Sequence, residues 1–292
     1  MRTYLAEMYP LPRRLLTSVL VSAGFATLVG RLHGLPLRWW SRPVLLGAAS
    51  VFGLMLVLRL MDELKDQEVD RTLFPRRPLP SGRVLASDIR WSLAAASAAF
   101  LLLHAGTGAA SWSAALVLAY ALLMFRWFFV PDRMRPRLLL TLATHNPVVP
   151  LLLLHLLALF AASHRLPLAR VRWAPSLVVV AIVWAATFAW EIARKVRSPE
   201  EEDAYVTYSR LLGPRGAVGL AAGAQAFALV AGLGLFRAER LSWAFPAALA
   251  VGWGVALVGH ARFLALPGPR TSRLAPYAEL NVLGVLVGGC LA

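Results

Sequence analysis

Long apolar stretches alternate along this chain with short connections rich in charge and proline, and that alternation constrains the fold more than any other feature. Nine such stretches run Leu15–Gly30, Val44–Leu60, Ile89–His104, Trp112–Val130, Leu138–Ala161, Leu177–Ile192, Ala217–Phe236, Trp243–Leu264 and Ala278–Ala292. A helix needs about 17–25 apolar residues to cross a bilayer. Several stretches meet that length, and the first, third and last fall near its lower edge. Charged residues make up 15% of the 292 residues, whereas soluble domains carry about 25%. Folding this chain in water would leave many apolar helices without a polar face. The pattern therefore predicts an all-α, polytopic transmembrane helical bundle of about nine helices, forming a single domain over residues 1–292.

The formal net charge is +15. In a soluble protein that would suggest nucleic acid. Here the basic residues sit between apolar stretches, so an anionic bilayer surface is the expected partner and nucleic acid is not. With the N-terminus on the cytoplasmic side, 22 of the 30 Lys and Arg residues fall on that side. Positive charge marks the cytoplasmic face. The expected location is a cell inner membrane, multi-pass, with the site facing the cytoplasm. The polar, basic start from Met1 to Arg14 shows no cleavable leader pattern. The lone cysteine, Cys290, allows no internal disulfide. Gly219 and Gly223 form a GxxxG spacing, read as helix packing.

Ten of the fifteen acids lie in two short stretches, each at the cytoplasmic end of an apolar helix. The first holds Asp62, Glu63, Asp66, Glu68 and Asp70; the second holds Glu191, Glu200, Glu201, Glu202 and Asp203. Acids at a membrane helix end are costly unless paired, solvated or used. Asp62, Asp66 and Asp70 recur every four residues. If the helix persists, three carboxylates share one face and repel one another. A divalent cation relieves that repulsion, and carboxylates with phosphates are the usual surroundings of Mg²⁺. Arg71 and the proline-pinned run Arg76-Arg77-Pro78-Leu79-Pro80-Ser81-Gly82-Arg83 follow. Guanidinium groups there can bind phosphate, or can pair with the acids. In the second stretch, Glu191 and Lys195 have the spacing of an ordinary helix salt bridge. Beside the first, this stretch would complete a two-walled site.

These residues resemble the UbiA superfamily of intramembrane prenyltransferases. Its first motif has the spacing N-D-x-x-x-D-x-x-x-D, then an arginine and R-P-L-P-S-G. The chain offers Asp62, Asp66, Asp70, Arg71 and Arg77 to Gly82. The likeness extends to nine helices with acid motifs after the second and sixth. It implies an enzyme that holds an isoprenyl diphosphate through Mg²⁺ on both acid motifs. The diphosphate departs, and an allylic carbocation alkylates a lipophilic, often aromatic acceptor. On this likeness Asp66 and Asp70 are the catalytic aspartates. Asp62, Asp66, Asp70, Glu191 and one of Glu200 to Glu202, with Glu202 the candidate, would be metal ligands. Arg71, Arg77, Arg126, Arg194 and Lys195 would meet the diphosphate. Tyr120, His145 and Asn146 would line the acceptor or tail pocket, although His145 and Asn146 equally suit helix packing. The chain departs from the pattern at Met61, where the family carries asparagine. It departs again at Lys195, where another acid is expected.

Three other readings compete. A UbiA-type membrane terpene cyclase would ionise the same donor but need no acceptor. A CDP-alcohol phosphotransferase would carry Asp-Gly and Ala-Arg elements that are missing near Asp62. A cation transporter would favour acids near the membrane midplane on broken helices, not at helix ends on one side.

Overall fold

The computed structural model describes residues 1–35, 37–38, 40–203 and 205–292. Its helices are α1 (Arg2–Met8), α2 (Leu11–Leu32), α3 (Arg42–Lys65), α4 (Gln67–Leu73), α5 (Ala86–Leu103), α6 (Ala109–Phe125), α7 (Pro131–Met134), α8 (Leu138–His145), α9 (Val148–Ser163), α10 (Trp173–Ala193), α11 (Tyr208–Glu239), α12 (Ala244–Ala265) and α13 (Ala275–Leu291). No strand occurs among the described residues. Seven helical stretches are long and apolar enough to cross a membrane: α2, α3, α5, α8 with α9, α10, α11 and α12. The apolar α6 and α13 are shorter, at 17 residues each. These elements correspond one to one with the nine apolar stretches, and the protein is a multi-pass membrane protein of all-α class.

The chain divides into two compact units. The first comprises Met1–Ser22 and Arg38–Ala169, the second Ala23–Leu37 and Arg170–Ala292. The centre of the first unit is an apolar cluster of Leu54, Val57 and Met61 from α3, Phe100 from α5, and Ala114, Val117 and Ala121 from α6. Small alanines on α6 admit the larger α3 side chains, which is how apolar helices pack without a hydrophobic drive in lipid. A second cluster seats Tyr4 of α1 against Leu60, Val84 and Ile89. The short N-terminal helix is thus tied to the end of α3.

In the second unit the close approaches are made by glycines of α12, α13 and the end of α2. A Cβ on Gly284 would lie 2.7 Å from the Ala248 carbonyl oxygen, and one on Gly289 would lie 2.6 Å from the Gly24 carbonyl oxygen. The expectation of packing at Gly219 and Gly223 is corrected here, since a Cβ at either would meet nothing within 4 Å. Both sit on an exposed face of α11. The GxxxG spacing that does pack lies in α13, at Gly284 and Gly288.

Two breaks shape the ends of these helices. His145-Asn146-Pro147 separates α8 from α9, because proline has no N–H to continue the ladder. In α11, Gly213 adopts φ 70° and ψ 162° just before Pro214. Only glycine enters that region without strain, and the apolar part of the helix begins beyond it.

Candidate active site

The first acid stretch lies in the first unit, where α3 ends at Lys65 and α4 restarts at Gln67. Asp66, between them, has φ −96° and ψ 10°. The four-residue ladder nevertheless runs through the bend. Asp66 N–H donates to the Asp62 carbonyl at 2.9 Å, Asp70 N–H to Asp66 at 2.8 Å, and Phe74 N–H to Asp70 at 2.9 Å. The backbone keeps the predicted register while the three side chains part. The Asp62 side chain is 52% exposed and faces Lys65 at 3.7 Å. The Asp70 side chain is only 6% exposed, and both its oxygens accept from Arg77 Nη1 at 2.7 Å. Arg77 also stacks over Phe74, 4.0 Å from the ring centre.

Asp66 differs from both, with neither hydrogen bond nor ion pair on its carboxylate among the described residues. Burial, and then the charge of Asp62, push it up to about 6 against the pull of Lys65. Both effects disfavour the ionised form. A cation at this position would remove the penalty. Glu63, one residue after Asp62, points elsewhere; it is buried and paired with Arg59 at 2.6 Å. Glu68 is exposed, 3.9 Å from Arg135.

Lys65 joins this stretch to chain far away in sequence. Its Nζ lies 3.2 Å from His145 Nε2 and 4.4 Å from the centre of the Trp127 ring. Trp127, Phe128 and Phe129 all have positive φ, at 52°, 50° and 61°. Bulky residues in that region cost about 1–3 kcal/mol each. The strained turn brings Phe128 against Tyr120 and His145, with ring centres 5.6 and 5.9 Å apart. Such strain is held only where packing over-determines it, and here it sets an aromatic face over a cation. Tyr120 donates to the Thr144 carbonyl at 2.7 Å, so it fastens α6 to α8. Asn146 sits at the end of α8.

The basic loop is latched from the N-terminus. Glu7 of α1 accepts from Arg83, which also donates to the Arg76 carbonyl at 2.6 Å. No local pattern announces this latch, because Glu7 and Arg83 are 76 residues apart. Arg71 and Arg126 are exposed and form no ion pair among the described residues.

The second acid stretch lies in the second unit. Glu191 is paired with Arg194 and, at 3.3 Å, with Lys195. The salt-bridge alternative for Lys195 is what the geometry displays, and Arg194 shares it. Arg194 also lies over the Trp190 ring, at 5.4 Å. Glu201 caps the turn at Ser198 and accepts from Ser272. Glu202 accepts from Thr207 at 2.6 and 2.7 Å and from Ser209 at 2.7 Å. Its carboxylate organises the loop before α11. Asp203 pairs with Arg197 at 2.8 Å. Among the described residues, no three or more His, Cys, Asp or Glu side chains converge as a metal site. Asp62, Asp66 and Asp70 lie along one bend of the first unit, and Glu191 and Glu202 each lie within a hydrogen-bonded set of the second.

No family model matches the sequence, and no curated protein matches it either. Solved structures do match its fold. An apo UbiA homolog from Aeropyrum pernix K1 superposes with a TM-score of 0.68, covering 93% of this chain and 96% of its own, at 20% identity. The fold is the UbiA fold. A structure of digeranylgeranylglyceryl phosphate synthase in membranes agrees, with a TM-score of 0.64 over 99% of this chain and 98% of that one, at 15% identity. The resemblance read from Asp62 to Gly82 thus extends to the UbiA architecture as a whole.

Proposed function

We propose that this protein is an intramembrane prenyltransferase, moving an isoprenyl group from its diphosphate to a lipophilic, aromatic-type acceptor. The observation that carries the proposal is the unpartnered Asp66 carboxylate, held beside Asp62 at the edge of a UbiA-fold helix end and followed by a basic loop. Mg²⁺ commonly takes one or two carboxylates and leaves its other positions to water and phosphate. Asp62 and Asp66 fit that demand, whereas Asp70 is occupied by Arg77. Bound there, Mg²⁺ would supply positive charge to the leaving diphosphate.

The chain's own residues account for the rest. Arg71 and Arg126 offer free guanidinium groups for phosphate oxygens. Asp70 orients Arg77, and the Glu7–Arg83 latch fixes the loop that carries it. The C1–O bond of the donor breaks with its electrons on oxygen; the acceptor then supplies the pair that bonds C1 and loses a proton. The ring face of Trp127 holds the Lys65 ammonium beside the aspartates. Apolar walls from α3, α5 and α6 keep bulk water from the carbocation. The basic-residue bias supports a cytoplasmic position for this end of α3.

The direct test incubates purified protein in detergent with Mg²⁺ and isoprenyl diphosphates of several lengths, with and without aromatic acceptors. Diphosphate release and organic products are followed together. Metal- and acceptor-dependent release with a prenylated product is expected. A cyclised hydrocarbon formed without acceptor would replace transfer by cyclisation, and absence of donor binding would remove the reading altogether. Lys195 supplies a contrast. Its charge is already matched by Glu191, so Lys195→Ala is expected to change the donor KM by no more than about two-fold, the scale of an i,i+4 pair. A ten-fold rise would instead place Lys195 on the diphosphate.

A further inference from the structure

A cavity of about 450 Å³ lies within the first unit, where α3 and α6 begin and α9 ends. Ligand pockets run from about 300 to 1,000 Å³, so the volume suits a molecule of appreciable size. Its place in the membrane follows from α3. Arg42 opens that helix and lines the cavity, and Asp62 lies twenty residues further on. The rise between them is about 30 Å, about the thickness of the hydrocarbon core. The cavity therefore sits at the headgroup layer opposite the aspartates, too far from them to hold the diphosphate.

Charge decides what such a cavity takes. Arg42 is the one charged side chain among the described lining residues, and no acid lines the cavity with it. It is exposed and forms neither an ion pair nor a hydrogen bond among the described residues. A guanidinium carries five N–H donors and no acceptor, so its natural partner is an anion. The backbone N–H groups of Gly106, Gly108 and Ala109, residues that also line the cavity, have no acceptor among the described residues. One positive charge and several unmatched donors are thus gathered from two elements.

The other walls are apolar, with Leu46 of α3, Ala158 and Ala162 of α9 and Leu166 just beyond it. An anionic head joined to an apolar body fits both halves. The far end of an isoprenoid tail would gain nothing from Arg42, and a free inorganic anion would leave the apolar walls uncovered. A zwitterionic lipid would bring an ammonium group with no acid in the lining to receive it.

We propose that this cavity binds one anionic phospholipid from the leaflet opposite the aspartates. Its phosphate meets Arg42 and the Gly108 and Ala109 backbone, and the start of an acyl chain lies against Leu46, Ala158 and Ala162. The bound lipid ties the ends of α3, α6 and α9 together and stabilises the folded protein by mass action. The inference is independent of prenyl transfer.

The test titrates the purified full chain in detergent with phosphatidylglycerol, phosphatidylcholine or inorganic phosphate. Bound lipid is read by native mass spectrometry and Tm is followed in parallel. One phosphatidylglycerol per chain should bind about ten-fold more tightly than phosphatidylcholine, the scale of one charge-assisted hydrogen bond. It should also raise Tm as its concentration rises, whereas inorganic phosphate should not. Arg42→Gln should abolish the ten-fold preference. Ala162→Leu should weaken binding of both lipids by filling the cavity. Arg31→Gln removes the same charge from the second unit and should change neither reading. Equal binding of the two lipids by the wild-type protein would overturn the proposal. So would a preference that falls equally in Arg31→Gln and Arg42→Gln, because the attraction would then be to net charge and not to the cavity. Protection by inorganic phosphate equal to that by phosphatidylglycerol would replace the lipid by a free anion and also overturn it. Arg42 has no protein partner to lose, so Arg42→Gln should keep the lipid-free Tm. Should Ala162→Leu fail to fold, the comparison of Arg42→Gln with Arg31→Gln still decides.

Discussion

Asp66→Asn is expected to lower prenyl transfer by about 10³-fold, the scale on which removing a fixed electrostatic contact acts, while thermal stability is unchanged or slightly raised. Asp66 has no protein partner to lose, and its charge is opposed by burial and by Asp62. Asparagine keeps the shape and removes the repulsion. Asp70→Asn is a blunter experiment, because it also frees Arg77 and loosens the basic loop. The same residue predicts a pH dependence. A carboxyl raised to about 6 is mostly ionised at pH 7 and mostly protonated at pH 5. Protons then compete with Mg²⁺, so the apparent Kd for Mg²⁺ should rise about ten-fold per pH unit below 6. In Asp66→Asn the dependence over that window should flatten. Calorimetric titration of Mg²⁺ at pH 5, 6 and 7 reads both. A wild-type Kd that does not vary with pH would remove Asp66 from the ligand set, and retained turnover in the variant would remove it from catalysis.

What the sequence disclosed, and what it concealed, follows from the range of the interactions. The nine apolar stretches were legible because each is set by local composition against bilayer thickness. The four-residue spacing of the aspartates was legible because it is a property of one backbone segment, and the ladder through Asp62, Asp66 and Asp70 keeps it. The bend at Asp66 was not, since no proline or glycine marks it in the sequence. Lys65, His145 and Trp127 meet through a fold that brings residues 80 positions apart together. The apolar run Trp112–Val130 looked like one helix, yet α6 stops at Phe125 and the next aromatics turn left-handed. Hydropathy does not record the sign of φ. Glu191 and Lys195 were readable as an ion pair from spacing alone. The hydroxyl partners of Glu202, and the Ser272 bond to Glu201, depended on loop conformation.

The glycine spacings carry the same lesson into a prediction of large effect. Gly219 and Gly223 carry the motif by spacing, whereas Gly284 and Gly288 carry it by contact. Gly284→Val should destabilise the protein by about 3 kcal/mol, the upper range for forcing extra atoms into a packed interior. The Cβ would meet the Ala248 carbonyl oxygen at 2.7 Å and the Gly252 Cα at 3.1 Å. These are backbone atoms, so no rotamer change relieves the clash, and α12 and α13 must separate. A loss of that size corresponds to a fall in Tm of about 6–12 °C. Gly219→Val and Gly223→Val add a side chain to an exposed helix face and should shift Tm by no more than about 2 °C, as surface changes do. Thermal unfolding of the three variants in one detergent separates spacing from contact. Equal losses in all three would mean that the exposed face of α11 is itself packed, whereas a loss confined to Gly284→Val follows from where the backbones touch.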